Sequence, residues 1–212
     1  MQKAAPLILI LYLIEINAFT LRIILISTIV GSIRGLNQTS IRKILTYTSI
    51  NHIGWILIAL TTSENLWIVY FTIYSTLALT VLSAIKLSGA SFFNQTIITN
   101  KETTLIKFMI FTSLFSLGGL PPFLGFLPKW IVIQDIITNN LAPLATIVVV
   151  TSLIALYYYL KISYSRFIIL NTEPKLNLKF HKNKSTKNTW ALILSSVSLT
   201  GIAACTIITN VN

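Results

Sequence analysis

Apolar residues in this chain come in long runs, not in the alternation of strands or the half-polar stripes of soluble helices. Several runs approach the ~20 apolar residues that span a ~30 Å hydrocarbon layer. Seven crossings are expected, at roughly 1–17, 20–35, 41–61, 65–87, 104–138, 141–168 and 189–209. The fold class is therefore an all-α polytopic membrane protein, one integral domain over 1–212. The first run is short, with about 15 apolar residues after Lys3. The fifth is too long for one straight helix, and Gly118, Gly119, Pro121 and Pro122 interrupt it.

Charge placement decides how the fifth run is threaded. If it is one interrupted crossing, Arg34, Arg42 and Lys43 share a side with Lys86, Lys101 and Lys107, and with the tail loop carrying Arg166, Lys175, Lys179, Lys182, Lys184 and Lys187. The opposite loops, Thr62 to Glu64 and Asn139-Asn140, are neutral or acidic, and Arg22 is the exception. Two crossings would put the last basic loop opposite the others. Basic loops stay on the inner side of a membrane. One interrupted helix is expected, with the C-terminus on the outer side.

Composition agrees: 54% of the 212 residues are hydrophobic and 10% charged, against roughly 25% charged in a soluble domain. The net charge of +11 does not point to nucleic acid, because the basic residues fall at segment ends and in loops. The lysine-rich stretch 171–188 reads as a solvated loop or as a contact for anionic lipid headgroups. Cys205, alone in an apolar run, reads as a small buried residue. No basic leader with a cleavage site precedes the first run, so insertion is expected to use the native segments themselves.

Candidate chemistry follows from depth. Lys129 lies in Gly118-Gly119-Leu120-Pro121-Pro122-Phe123-Leu124-Gly125-Phe126-Leu127-Pro128-Lys129-Trp130. Broken backbone at membrane depth is tolerated only where protein or a wet cavity satisfies the freed groups. A lysine there is costly and marks function by default. Burial disfavours an ammonium and a nearby acid or water restores it, which is the balance a proton relay needs. The alternative is a lysine snorkelling to the headgroups. Asp135, six residues on, is not an i, i+4 neighbour. His52 falls mid-run beside Thr48, Ser49 and Asn51. It reads either as a proton shuttle titrating near neutrality or as a hydrogen-bonded packing histidine. Lys3, Lys43, Lys86 and Glu15 read as charges at segment ends. Tyr157-Tyr158-Tyr159 with Lys161 and Arg166 reads as an aromatic belt with snorkelling cations. No phosphate-binding glycine loop and no cysteine pair with metal spacing is present, and His52 and His181 are the only histidines. No cofactor is expected in this chain.

Four blocks carry a resemblance: Gln2-Lys3-Ala4-Ala5-Pro6-Leu7, Gly35 to Lys43, Tyr47 to Trp55, and Leu117 to Trp130. Their order and spacing resemble the mitochondrially encoded NADH dehydrogenase subunit 2 family of respiratory complex I, over residues 1 to about 170. The resemblance implies the antiporter-like fold of the complex I membrane arm, shared with multisubunit cation/proton antiporters. That fold has two inverted five-helix repeats, each with an interrupted helix. It implies a proton or charge relay on matching positions: Lys129 as the lysine of the second interrupted helix, Lys3 as the central lysine, and His52 as the intervening histidine. Lys43 and Asp135 carry weaker assignments.

It also implies other membrane-arm and accessory subunits as partners, with phospholipids, cardiolipin among the candidates. The location would be the mitochondrial inner membrane, basic loops facing the matrix and the C-terminus facing the intermembrane space. NADH, FMN, iron–sulfur clusters and ubiquinone would belong to the parent complex. Members of the family are considerably longer than 212 residues. The part without a counterpart is N-terminal and would hold the first interrupted helix with its own lysine and glutamate. Two other readings compete: a structural bundle that braces the arm without a proton path, and a subunit of a cation/proton antiporter.

Overall fold

The computed structural model describes residues 3–13, 17–63, 65–88, 104–167 and Ser196. Among these are seven helices: α1 (Ala4–Leu13), α2 (Ala18–Leu36), α3 (Ile41–Thr62), α4 (Leu66–Ser88), α5 (Thr104–Gly118), α6 (Phe126–Thr138) and α7 (Ala142–Phe167). α2, α3, α4 and the Ala142–Tyr164 part of α7 are long and apolar enough to cross a membrane. The expected first crossing is helical over the ten residues of α1. The 171–188 loop, Glu15, Cys205 and, apart from Ser196, the seventh expected crossing lie outside the described residues; Arg166 falls in the last turn of α7, its side chain not described.

These helices are apolar nearly all round, so packing between them rests on close approach and on internally satisfied polar groups. Hydroxyls bond within their own helix: Ser27 donates to the Ile24 carbonyl at 2.8 Å, Thr48 to Leu45 at 2.8 Å and Thr151 to Val148 at 2.9 Å. Such bonds leave few hydroxyls seeking partners in lipid. Small residues let α2 and α3 touch. Thr28 and Ser32 are fully buried, and a Cβ built on Gly31 would come within 2.7 Å of the Asn51 backbone nitrogen. The outer surfaces carry large exposed apolar side chains, among them Leu9, Phe19, Ile26, Leu79 and Leu153.

Two buried clusters stack along the bundle. One gathers Ile44 of α3, Leu77 to Ala84 of α4, Met109 to Leu117 of α5 and Ala155 to Ile162 of α7. The other gathers Trp55 to Ala59, Tyr70, Val132, Ile136 and Leu144 to Val148. α3, α4 and α7 run through both, but α5 belongs to the first cluster and α6 to the second. The expected single run over 104–138 is therefore two helices end to end, which together traverse the bundle with the break between the clusters. α5 and α6 are about 22 Å and about 20 Å long at 1.5 Å per residue. Neither matches the about 33 Å of α3.

The tyrosine run departs from the expected belt. Tyr157 is exposed, but Tyr158 and Tyr159 are each 2% exposed and pack in the first cluster. Successive residues on a helix point about 100° apart, so three neighbours cannot share one lipid-facing side.

Candidate functional site

The break is built by its own ends. Gly119 takes φ +77°, a left-handed turn that favours glycine. Its N–H bonds the Ser116 carbonyl at 3.1 Å, and the Leu120 N–H reaches back to Phe115 at 3.4 Å. This is a helix stop that uses up otherwise orphaned carbonyls. Pro121 and Pro122 cannot extend the helix. The Phe123 N–H then bonds the Leu120 carbonyl at 2.9 Å and the Phe126 N–H bonds Phe123 at 3.1 Å, delivering the chain to Gly125, the N-cap of α6. Pro128 falls in the first turn of α6, where its missing N–H is not needed. Replacing Gly119 with Ala is expected to cost about 1–2 kcal/mol from the left-handed backbone. The new methyl would also press on the Lys129 Cδ, 2.9 Å away. A lowered thermal unfolding midpoint checks this; an unchanged one refutes it.

Lys129 is the fourth residue of α6 and is 7% exposed. Its Nζ donates back across the break to the Gly118 carbonyl at 2.8 Å. The C-terminal end of α5 is electronegative and favours a cation, whereas the N-terminal end of α6 opposes one. The ammonium thus lies between a helix end that attracts it and one that repels it. Nζ also stands 5.7 Å from the centre of the Trp55 ring, within cation–π range. Among the described residues Lys129 has no carboxylate partner. A carbonyl accepts from an ammonium and from a neutral amine alike, so the Gly118 bond does not fix the charge of Lys129.

A line of side chains leads from Trp55 to Lys3. Trp55 is fully buried and lies nearly parallel to Tyr70, centroids 6.4 Å apart at 14°. The Tyr70 hydroxyl is 3.1 Å from His52 Nδ1. The His52 ring lies 4.7 Å from that of Tyr74. The Tyr74 hydroxyl accepts a hydrogen bond from Lys3 Nζ at 3.5 Å, and that Nζ is 5.5 Å from the Tyr74 ring centre. Two further buried atoms on the same stretch of α3, Asn51 Oδ1 and Trp55 Nε1, have no hydrogen-bond partner among the described residues.

Lys3, His52 and Lys129 are thus brought into one connected cluster, and Gly118, Gly119, Pro121 and Pro122 form its break. Lys43 is not part of it. It is exposed in the first turn of α3, nine residues or about 13 Å of helix from His52. Asp135 is half-buried in the last turn of α6, about 9 Å of helix beyond Lys129, and its carboxylate forms no ion pair among the described residues. Tyr70 and Tyr74 were not expected from the sequence. Their signal is present: two phenols four apart, hence on one side of α4, within a run that is otherwise largely apolar.

Residues 1–155 match the family described as NADH:quinone oxidoreductase/Mrp antiporter, transmembrane. A protein of Anopheles albimanus named NADH-ubiquinone oxidoreductase chain 2 is 42% identical over 158 residues, which are 74% of this chain and 88% of that relative. The chain belongs to the NADH-ubiquinone oxidoreductase chain 2 family. The Locusta migratoria member is 45% identical over 202 residues, 95% of this chain and 58% of its own length. The chain therefore spans rather more than half the length of that relative. A solved structure of respiratory complex I from Thermus thermophilus contains a chain with the same fold. It aligns at a TM-score of 0.71 and 19% identity, covering 87% of this chain and 43% of that one.

Proposed function

We propose that this member of the chain 2 family serves in the membrane arm of a proton-pumping NADH:ubiquinone oxidoreductase and contributes a charge or proton relay through Lys3, His52 and Lys129. The observation that carries this reading is the unbroken line of contacts from Lys3 through Tyr74, His52, Tyr70 and Trp55 to Lys129 at the helix break. Two lysines and a histidine so close, without a carboxylate between them among the described residues, cannot all hold charge cheaply. They titrate as a coupled set, so a change at one end biases the other. The donor groups of Lys129 keep their bond to Gly118 in either charge state, so the residue can gain and lose a proton without releasing the break.

In this reading the whole chain, 1–212, is one integral domain of the mitochondrial inner membrane. Its basic loops face the matrix and its C-terminus faces the intermembrane space. Its partners are the other membrane-arm and accessory subunits and the surrounding phospholipids. Lys43 and Asp135 are at most entry or exit points. NADH, FMN, iron–sulfur clusters and ubiquinone belong to the rest of the complex. Replacing Lys3 with Met, or His52 with Gln, in the assembled oxidoreductase is expected to lower the protons moved per NADH while NADH still reduces quinone. A normal proton yield from both variants rejects the relay.

A brace is the second reading, favoured by one contact. The Lys129–Gly118 bond ties α6 to α5 across the break, a purely mechanical role. A brace needs the donor but never needs the lysine to lose its proton, and that difference separates the two readings.

A further inference from the structure

We propose that Tyr74 couples Lys3 to His52, and that Tyr70 holds His52 in the orientation this coupling needs. The proposal rests on the relay reading above and assigns two positioning residues within it.

Both contacts of Lys3 with the cluster run through Tyr74, one to its hydroxyl at 3.5 Å and one to its ring at 5.5 Å. The same ring lies 4.7 Å from the imidazole of His52, tilted by 34°. One phenol therefore serves two ionisable neighbours. Its π-face favours a cation beside it, and a charge gained on one neighbour opposes a charge on the other. Tyr74 is where the state of Lys3 is passed to His52.

Tyr70 meets the imidazole at its Nδ1 edge. Its hydroxyl faces Nδ1 at 3.1 Å, and its ring is fixed against Trp55 in a site where Tyr70 is 1% exposed. A hydroxyl both donates and accepts. It can meet Nδ1 whether that nitrogen carries a proton or a lone pair, so the imidazole can exchange protons without losing its support. A backbone carbonyl in that place would accept only and would freeze one form. Among the described residues, the charged and titratable groups around His52 are Lys3, just before α1, Tyr70 and Tyr74 of α4, and Lys129 of α6. The two tyrosines lie four residues apart on α4, so one helix presents both.

The test uses the assembled oxidoreductase in proteoliposomes, with proton uptake and NADH oxidation measured together. Tyr74→Phe keeps the ring and deletes the hydroxyl. It is expected to slow proton transfer through this subunit about 10-fold, the order of one lost hydrogen bond to a charged group, with quinone reduction intact. In a Lys3→Met background the same change is expected to add nothing, because Tyr74 acts through Lys3. An equal further loss in both backgrounds means a merely structural tyrosine and overturns the proposal. Tyr70→Phe is expected to lower the proton yield, and Tyr70→His, which restores a donor and an acceptor, to recover part of it. Failure of the histidine to recover any overturns the role given to Tyr70. If Lys3→Met and His52→Gln reduce the proton yield while Tyr74→Phe does not, the relay stands and the Tyr74 proposal falls. If those two variants are themselves normal, both fall.

Discussion

Replacing Gly125 with Ala is expected to prevent the break from closing and to remove the folded protein. A Cβ on Gly125 would collide with the Ser116 carbonyl and press on Leu77 Cδ1, 3.1 Å away. The main obstacle is backbone, held by the stop of α5, and no side-chain rotation relieves it. Overpacking a buried position costs about 1–3 kcal/mol where side chains can shift. Here the cost is expected at about 3 kcal/mol or more, enough to unfold a marginally stable domain. Gly118, seven residues earlier, is the control. A Cβ there meets only Tyr159 and Leu156 at 3.5 Å and beyond, an ordinary contact, so Gly118→Ala is expected to assemble normally. Thermal unfolding and the yield of assembled complex read both. A Gly125→Ala protein as stable as the Gly118→Ala protein would contradict this geometry.

The second large effect concerns Lys129, where the replacement decides what is learned. Lys129→Met removes the bond to Gly118 and leaves a buried carbonyl unpaired, a loss of about 1–3 kcal/mol. Both the relay and the brace predict damage from it. Lys129→Arg separates them. A guanidinium still donates to Gly118 and stays beside the electronegative end of α5, but it does not release its proton. Assembly is therefore expected to persist. Proton transfer through the subunit is expected to fall about 10²-fold or more, the usual scale for losing a proton-transfer group.

The sequence made the break readable because its chemistry is local. Glycine at a left-handed turn, prolines that cannot extend a helix, and a lysine too deep for its charge all declare themselves without neighbours. The single interrupted traverse was also within reach, since the side on which Arg34, Arg42, Lys43, Lys86 and Lys107 fall depends only on the number of crossings. Which side of each helix faces its partners was harder to read. In lipid both the core and the surface are apolar, so Trp55, Tyr70, Tyr158 and Tyr159 have no polarity pattern to distinguish them from the exposed Tyr157. His52 illustrates the limit. Its run of Thr48, Ser49 and Asn51 marked a polar stretch of α3, but its partner Tyr70 is on α4, and only packing brings them together. Small residues were the usable signal for the α2–α3 contact: Ser27 and Gly31 of α2 are spaced by four, and Gly54 of α3 lies against Ser27 and Thr28.

The central claim is that charge moves through Lys129 by gain and loss of a proton. The most direct measurement is the number of protons translocated per NADH oxidised by the assembled Lys129→Arg oxidoreductase in sealed proteoliposomes, with quinone reduction followed in the same sample. The relay predicts a reduced ratio in a fully assembled complex. A ratio equal to that of the unaltered complex would contradict it and leave Lys129 as a brace.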